Sequence, residues 1–299
     1  MSKNSVNIRI DPSDVKQLFA SINLQLHCCR YWKLQKWEFS NMLVPFWRLY
    51  HNTIPGATVS YKNTEIQLNA GTIVLIPPRT SFSTKLKSPI YTEISNVKGR
   101  RITKHDIIDD FPMRTEVDHL FIHFNAGMPL DIVKPDIYSI NETAVIKTYL
   151  DYIKKNVVRN YRSFDIGTTL IIQKLIMEVL SAISIELTSG PNDKRIIESI
   201  GYIESNYKQK ITNEILASLA FMATNSFARL FKQQVGCTVQ QYIQRTRIEK
   251  ACILLHHSDE NIDNIAFESG FCDRFYFTKK FKEFMGISPA AYKKHHTMV

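Results

Sequence analysis

The sequence predicts an α+β protein in which a β-rich N-terminal region is followed by helices. Short apolar runs between turn residues fill the chain from Trp37 to Phe124, a pattern typical of strands. From Thr143 onward apolar residues recur every three or four positions, as they do along one face of a helix. The length of 299 residues also allows two domains.

The strand region comes first. Its clearest strands run from Thr58 to Tyr61, Thr72 to Ile76, Thr92 to Ile94 and Leu120 to Phe124. The segment from Val97 to Thr115 holds a basic cluster and then an acidic one, with few apolar residues. We expect a long exposed loop in that segment rather than a core strand.

Two helices are predicted after the strands, from Thr143 to Asn156 and from Phe164 to Leu187. The apolar stripe of the second is wide enough to contact both a sheet and another subunit, although burial inside one chain is the commoner reason for such a stripe. Residues 188–193 read TSGPND, which is typical of a linker. This linker divides the chain into domains 1–189 and 190–299.

The last ninety or so residues contain a repeat. At an offset of 50 residues, Phe227 aligns with Phe277, Phe231 with Phe281, and further matching pairs follow, among them Gly236 with Gly286. Each copy predicts a short helix, a turn and a longer helix, which is the pattern of a helix-turn-helix. The two units lie at about 211–235 and 261–284.

The second helix of each unit has an outer face that is polar and basic, opposite its phenylalanines. These faces comprise Asn225, Ser226, Ala228, Arg229, Lys232 and Gln233 in the first unit, and Arg274, Phe275, Thr278, Lys279, Lys280 and Lys282 in the second. Such a helix can offer guanidinium, amide and ammonium groups to bases and phosphates in a DNA groove. The alternative to DNA binding is that the two units are helical hairpins whose outer faces only contact solvent. The presence of the same basic face in both units makes this alternative less favourable.

One long helix, from Thr238 to His256, is predicted between the two units. At about 1.5 Å of rise per residue it is long enough to hold the two DNA-facing helices roughly one DNA turn apart. Double-stranded DNA is therefore the predicted partner.

The stretch from Ile211 to Tyr292 resembles the DNA-binding domain of the bacterial AraC/XylS-family transcriptional regulators. The most specific part of the match is IAFESGF followed by YF, FK, G and SP at the family's spacing. The resemblance implies a transcription regulator that forms a homodimer on DNA. It is compatible with an activator that contacts RNA polymerase, and the sequence leaves activation and repression open. It also implies base contacts from Asn225, Ala228, Arg229, Arg274, Phe275, Thr278 and Lys279, with Lys232 and Lys282 completing the DNA-facing set.

Two positions of this stretch bear on the resemblance. Arg247 matches a family arginine that either pairs with a carboxylate or contacts DNA. Phe221 stands where the family usually has a glycine in the first turn. Because a bulky residue adopts a positive φ only at a cost, we expect either a locally different turn or a different docking of the first DNA-facing helix.

The N-terminal half resembles, less specifically, the cupin-like effector domain of many family members, through AGTIVLIPPRTSF. The positions of the second metal-binding cupin motif, Gly, Pro, Gly and His, are occupied here by Gly71, Pro77, Arg79 and Phe82. Arg79 thus replaces the second glycine, and Phe82 replaces the ligand histidine. No His-x-His lies at residues 48–52. We therefore expect no catalytic metal, no cofactor and no enzyme activity.

Histidines and aromatic residues are further candidates for sites. His119 and His123 share one face of a strand, where they form either a metal edge or, more simply, polar packing. His256 with His257 and His295 with His296 fit a favourable contact with a helix C-terminus. A cluster of aromatics suits either stacking on a sugar or an ordinary core: Trp32, Trp37, Trp47, Tyr50, Tyr61 and Tyr91.

Charge and cysteine content complete the prediction. The net charge of +10 favours a polyanionic partner but is equally compatible with a solvated basic surface. The cysteines are odd in number, five in all, with Cys28 and Cys29 adjacent and the other three scattered, which indicates reduced thiols and a cytoplasmic protein. The first fourteen residues lack the apolar core of a signal peptide, and charged residues interrupt the most hydrophobic stretch, so we expect no membrane span.

Three functions remain open on the sequence. The leading one is a sequence-specific transcription regulator controlled by a small organic effector in the N-terminal domain. The alternatives are a cupin-type enzyme that carries a DNA-binding domain and a regulator whose N-terminal domain only dimerises. Binding of a metabolite that raises the melting temperature would separate the first from the last.

Overall fold

The computed structural model describes residues 22–86, 96–108, 116–127, 130–183, 191 and 193–296. The α+β class predicted from the sequence is confirmed, with strands first and helices after them. The strands are β1 (Gln25–Trp37), β2 (Phe39–Met42), β3 (Trp47–Asn52), β4 (Ala57–Tyr61), β5 (Thr64–Leu68), β6 (Thr72–Ile76), β7 (Phe82–Leu86), β8 (Val97–Arg101), β9 (Val117–Asn125) and β10 (Tyr138–Asn141). The predicted strand from Thr92 to Ile94 lies outside the described residues.

The strands form two antiparallel sheets. One has six strands in the order β10-β6-β3-β9-β1-β8, and the other has four in the order β2-β7-β4-β5. Side chains from both sheets share one core, which contains Trp37, Tyr50, Val59 and Phe82. The sheets therefore lie face to face, and within the described residues no strand pairing closes them into the cupin-like barrel that the sequence predicts.

The six-stranded sheet is covered on both faces, which explains its apolar strands. Along β6, Ile73 and Leu75 point to one face and Val74 and Ile76 to the other, because side chains alternate along a strand. The first face packs against helices and the second against the smaller sheet. Two covered faces favour continuous apolar strands such as TIVLI.

The predicted loop from Val97 to Thr115 is wrong at its beginning. Residues 97–101 are strand β8, which pairs with β1 at the edge of the six-stranded sheet, and residues 104–108 form the short helix α1 (Lys104–Ile108). An edge strand tolerates polar residues because one side has no neighbouring strand. Gly99 allows the close approach to β1, since a Cβ there would lie 2.5 Å from the carbonyl oxygen of Lys33. Residues 109–115 lie outside the described part of the chain.

Two helices cover the outer face of the six-stranded sheet. Helix α2 (Ala144–Arg159) begins at the N-cap Thr143, and α3 (Ile166–Ser181) begins at the N-cap Asp165; each cap side chain accepts a backbone N–H bond. Both predicted helices are therefore present, although the stretch of the second beyond residue 183 and most of the predicted linker lie outside the described residues. The buried face of α3 includes Leu180, which is only 7 % exposed.

Within residues 193–296 the structure describes seven helices, and the two halves of the predicted long helix pack into two separate hydrophobic cores. The helices are α4 (Lys194–Asn206), α5 (Asn213–Leu219), α6 (Thr224–Val235), α7 (Val239–His257), α8 (Ile262–Glu268), α9 (Arg274–Met285) and α10 (Pro289–His296). The first half of α7 shares a core with α4 to α6, and its second half shares another with α8 to α10. None of the helices in the described ranges combines the length and the apolar character needed to cross a membrane.

Candidate DNA-binding interface

The pairs α5–α6 and α8–α9 have the same turn between their helices. In the first, Ala220 N–H donates to the Leu216 carbonyl, Phe221 N–H to Ser218 and Met222 N–H to Ala217, at 3.0, 3.1 and 2.9 Å. The second repeats these bonds with Ser269 to Ile265, Gly270 to Phe267 and Phe271 to Ala266, at 3.0, 2.9 and 3.0 Å. The sequence repeat is thus a repeat of backbone geometry.

The first turn keeps this geometry although it has no glycine. Phe221 adopts a positive φ of 51°, and its counterpart Gly270 has a φ of 84°. The expectation of a locally different turn is therefore wrong: the surrounding hydrogen bonds hold Phe221 in the left-handed region despite its Cβ. Its side chain is 97 % exposed, so no side-chain contact offsets the strain.

The second helix of each pair, α6 and α9, is called a recognition helix below. Its phenylalanines anchor it: Phe227 and Phe231 on α6, and Phe277 and Phe281 on α9, are all fully buried. Their i and i+4 spacing places both rings of each helix on its inner side. This anchoring turns the opposite side outward.

The outward sides of α6 and α9 match position by position. Asn225, Arg229 and Lys232 are exposed on α6, as are Phe275, Lys279 and Lys282 at the matching positions of α9, and Ala228 and Thr278 are both half-buried. Exposed Arg274, the first residue of α9, donates to Asp263 of α8 at 3.1 Å. All nine predicted contact residues therefore lie on the solvent side of the recognition helices.

Helix α7 links the two units, as the sequence predicts. It begins with a capping box, in which Thr238 and Gln241 each satisfy the backbone N–H of the other. The predicted inner side is buried along its length, including Tyr242, Ile248 and Leu255. Nineteen helical residues span about 28 Å at 1.5 Å each.

Arg247 of α7 has a structural role. Its guanidinium donates to the backbone carbonyls of Tyr207 and Gln209, at 2.8 and 2.9 Å, and burial lowers its pKa. The partners are carbonyl groups and not the carboxylate that the resemblance suggested. Gly270 lies against the same group, since a Cβ there would be 3.0 Å from Arg247 Nε. Arg247 thus ties the end of α4 to the second turn.

Helix α7 also contacts the sheets, through an ion pair at its middle. Arg79 donates to Glu249 Oε1 from Nε at 2.8 Å and from Nη2 at 2.6 Å, and its Nη1 donates to the Asp131 carbonyl at 3.2 Å. Arg79 lies in the loop after β6 with a positive φ of 62°. Ile253, one turn further along α7, packs against the core between the sheets. The linking helix is thus docked on the N-terminal region.

The C-terminal end of α7 contributes two histidines to this contact. The rings of His256 and His257 lie 5.4 and 5.2 Å from the Phe46 ring, and 5.3 and 5.2 Å from the His123 ring. Burial lowers the pKa of His257 strongly, so its ring is neutral at pH 7. For His257 the expected charge interaction with the helix terminus is therefore wrong. The side chains of His295 and His296 lie outside the described ones.

The two histidines of strand β9 both lie inside the domain. His119 is bonded to Asn52 Oδ1 at 2.7 Å, and burial lowers its pKa to about 3. His123 lies further along the strand and is buried as well; burial and the nearby Arg48 charge lower its pKa. The two histidines do not form a metal site with each other. His119 is hydrogen-bonded to Asn52, whereas His123 lies against the histidines of α7.

A cleft of about 590 Å³ opens beside the contact between α7 and the sheets. Three arginines line it, Arg30 of β1, Arg101 of β8 and Arg162 after α2, together with Trp32 and Asp259, which follows α7. The Arg101 guanidinium lies 3.6 Å from the centre of the Tyr161 ring, another lining residue. Of the aromatics noted in the sequence, Trp37, Trp47 and Tyr50 are core residues, Trp32 reaches this cleft, and Tyr91 lies outside the described residues.

Sequence reasoning missed the residues that join the two regions. The sequence comparison considered Arg79 only as a position of the cupin metal motif. It predicted no contact of Arg79 with Glu249, and none between Cys28 and His257. No local pattern marks them, because each belongs to a different element. Their proximity results from the docking of α7 on the sheets.

Comparisons with known proteins agree with this geometry. A family described as "Helix-turn-helix domain" matches residues 216–295. The transcriptional activator RhaS of Klebsiella pneumoniae (strain 342) is 35 % identical over 120 residues, which are 40 % of this chain and 42 % of RhaS. The match thus spans less than half the length of that relative.

Solved structures of ToxT from Vibrio cholerae share the fold over nearly the whole chain. ToxT of strain O395 has a TM-score of 0.51 and 16 % identity, covering 92 % of this chain and 99 % of its own. ToxT of strain SCE256, solved with an unsaturated fatty acid bound, has a TM-score of 0.51 and 15 % identity, covering 93 % and 98 %. At this identity the likeness concerns the fold alone.

These findings identify a helix-turn-helix domain at residues 216–295. The resemblance predicted from the sequence is confirmed for this domain, which is similar to the corresponding part of the transcriptional activator RhaS.

Proposed function

We propose that the protein is a sequence-specific DNA-binding transcriptional regulator, with an N-terminal domain (1–189) for control and a C-terminal domain (190–299) for DNA binding. One observation carries the proposal: two helix pairs with the same turn geometry expose the same positions of α6 and α9. Each pair acts as a helix-turn-helix whose recognition helix enters the major groove. The linking helix, about 28 Å long, suits successive grooves on one side of the duplex.

Within this proposal the residues divide by chemistry. The side chains of Arg229 and Asn225 can each form two hydrogen bonds with the edge of one base. Phe275 and Thr278 offer apolar groups to thymine methyls. Lys232 and Lys282 lie in the last turn of each helix and contact phosphates. The exposed ion pair of Arg274 with Asp263 holds weakly in water, so DNA acceptors can take over the guanidinium.

The same proposal includes control by an anionic organic effector in the cleft beside α7. Arg30, Arg101 and Arg162 supply positive charge there, and Trp32 and Tyr161 supply aromatic surface. A ligand in this cleft would contact strands β1 and β8 and lie beside Asp259, which follows α7. ToxT, which shares the fold, binds a fatty acid. Thermal stabilisation by carboxylates in wild type, absent in Arg101→Gln, tests this part.

Dimerisation through α3 is a further part of the proposal. Leu170 and Met177 are 48 % and 41 % exposed on its outer side, and they line a groove of about 540 Å³ with Tyr149 of α2. A second copy placed here would set four recognition helices on adjacent DNA sites. We further propose that the protein is cytoplasmic, has no enzyme activity and activates transcription through RNA polymerase.

The direct test is selection of bound sequences from a random duplex library with the full chain. Wild type is expected to enrich one motif and to prefer it over scrambled DNA at fixed salt. Arg229→Ala is expected to cost about 1–3 kcal/mol on the selected site and to relax one base position. Lys282→Ala is expected to weaken all sequences alike and to reduce the salt slope by about 1.

Arg159→Ala, an exposed change on α2, is the matched control and is expected to leave the preference unchanged. A chain that binds every duplex equally contradicts the proposal. Equal losses for Arg229→Ala on selected and scrambled DNA contradict the base-contact role of that residue.

A further inference from the structure

A cysteine and two histidines from three elements meet where α7 docks on the sheets. The Sγ of Cys28 on β1 and a ring nitrogen each from His123 on β9 and His257 on α7 lie within 4.8 Å of one another. Among the described residues this is the one group of three or more Cys, His, Asp or Glu atoms close enough to share an ion.

The local backbone aligns the first two of these residues. Cys28 and His123 are direct cross-strand partners, and the pairing of β1 with β9 is irregular between Leu26 and Cys28. A bulge of this kind inserts one extra residue and redirects the side chains that follow it. Directly opposed side chains on neighbouring strands have Cβ atoms about 5 Å apart, which lets both reach one point.

Both imidazoles leave their nitrogens without protein partners. The Nδ1 and Nε2 atoms of His123, and those of His257, are buried and accept or donate no hydrogen bond within the described structure. The His123 side chain is only 2 % exposed. Buried polar atoms without a partner are costly, so one such nitrogen from each ring, both lying near the Cys28 sulfur, indicates a missing ligand.

We propose that Cys28, His123 and His257 bind one thiophilic metal ion, Zn²⁺ or Cu⁺. One thiolate and two imidazoles are ligands that these ions prefer, whereas Mg²⁺ and Ca²⁺ require oxygen ligands. Zinc takes sulfur at about 2.3 Å and nitrogen at about 2.0 Å, which puts its ligand atoms roughly 3.5 Å apart. Side-chain movements of about 1 Å close the observed group to that distance.

Binding proceeds with loss of a proton. The S–H bond of Cys28 breaks, the metal–sulfur bond forms, and the proton leaves to water, while each histidine donates a nitrogen lone pair. The Arg48 guanidinium, buried nearby and bonded to Tyr50 at 2.7 Å, opposes additional positive charge. The thiolate is therefore the essential ligand, because it cancels one charge of the ion beside this arginine.

The ion would connect the two regions of the chain. Cys28 and His123 belong to the six-stranded sheet, and His257 is the last residue of the linking helix. Helix α8 begins at Ile262, so the ion would fix the chain just before the second helix-turn-helix. This inference replaces the sequence-based expectation of no metal, and it does not depend on DNA binding.

The test uses the full, tag-free, reduced chain, stripped with a chelator and titrated separately with Zn²⁺ and Cu⁺. Native mass spectrometry and elemental analysis are expected to find one ion per chain for at least one of the two metals, with a rise in melting temperature. Cys28→Ser and His257→Gln are expected to lose the ion, whereas Cys272→Ser, at an exposed cysteine, keeps it. Cobalt is expected to give a sulfur-to-metal band that Cys28→Ser abolishes.

Circular dichroism and tryptophan fluorescence verify that each variant is folded. If Cys28→Ser does not fold, His257→Gln decides, because it lies at the end of a helix and leaves the sheets intact. Failure of folded wild type to bind one equivalent of either metal overturns the proposal. Retention of the ion by either folded variant overturns it as well, and shows an adventitious site.

Discussion

One residue with a positive φ lies in the turn of each helix-turn-helix unit, and the space around that residue differs between the two turns. Gly270 has no room for a side chain, since a Cβ would lie 2.9 Å from Lys208 Cα and 3.0 Å from the Tyr207 carbonyl oxygen. Phe221 occupies the matching position with open space around it and a 97 % exposed ring. The same backbone conformation is thus required in both turns, but steric exclusion operates only in the second.

We predict that Phe221→Gly stabilises the protein. The left-handed conformation costs a non-glycine residue about 1–2 kcal/mol, and glycine loses about 0.5–1 kcal/mol in chain entropy on folding. The expected gain in unfolding free energy is therefore up to about 1.5 kcal/mol. Urea unfolding of the full chain, followed by circular dichroism, measures it.

Gly270→Ala is the matched comparison, and it is expected to destabilise the chain by about 1–3 kcal/mol because backbone strain and a backbone clash coincide. Unchanged or lower stability of Phe221→Gly would show that the exposed ring has an unrecognised contact that offsets the strain.

At the level of elements, α3 shows how an apolar stripe divides between two sides. Ile172, Leu175, Ile176 and Val179 are buried against the sheet and α2, and Leu180 belongs to this buried side. Leu170 and Met177 lie on the outer side. A sequence pattern shows that both sides are apolar, but only the packing identifies the side that is covered.

We predict that Met177→Glu on α3 weakens dimerisation while the protein stays folded. The side chain is half-exposed, so a charge there costs little in the monomer but is buried in a dimer. Analytical ultracentrifugation is expected to show a monomer, and cooperative binding to tandem DNA sites is expected to be lost.

Leu180→Glu on the same helix is expected to unfold the N-terminal domain instead, because it buries an unpaired charge. A dimer that persists in folded Met177→Glu would place the dimer interface on another surface.

At the scale of the whole molecule, several neutral histidines are buried in the N-terminal domain and, for His257, at its contact with α7. Burial is the main cause of the lowered pKa of His27, His51, His119, His123 and His257. A histidine whose pKa is lower in the folded than in the unfolded state resists protonation until the chain unfolds. Its contribution to stability is therefore lost as the pH falls below the ordinary pKa of 6.5.

We predict that the N-terminal domain loses stability steeply below about pH 6.5. His119, whose folded pKa is about 3, contributes about 1.4 kcal/mol per pH unit between about pH 6.5 and that value. Urea unfolding at several pH values measures the slope. Tryptophan fluorescence reports this domain selectively, because all three tryptophans precede residue 48.

His119→Gln is expected to reduce the slope of unfolding free energy against pH by about 1.4 kcal/mol per pH unit. This change corresponds to one proton, since glutamine does not titrate. Replacing exposed His105 by glutamine is the control and is expected to leave the slope unchanged. An identical slope for wild type and His119→Gln would contradict the assignment of this histidine as buried and neutral.

Local sequence patterns were enough to predict the α+β class, the strands at 72–76 and 120–124, the two helices after the sheets, and the matched helix pairs with their outer faces. These features depend on local periodicity and on repetition, both of which are present in neighbouring residues. A continuous stretch also predicted the helix-turn-helix domain that the family model matches. Strand β8 escaped prediction because its polar residues are stable only at the edge beside β1.

Which distant groups come into contact depends on the packing of the elements in three dimensions. The separation of the strands into two sheets, the buried side of α3, the bond of Arg79 to Glu249 and the cluster of Cys28, His123 and His257 depend on how elements dock. Docking is set by the fit of whole faces, to which many side chains contribute weakly, so no short segment of sequence encodes it. The turn at Phe221 belongs here too, since its surroundings impose a conformation that its own residue type disfavours.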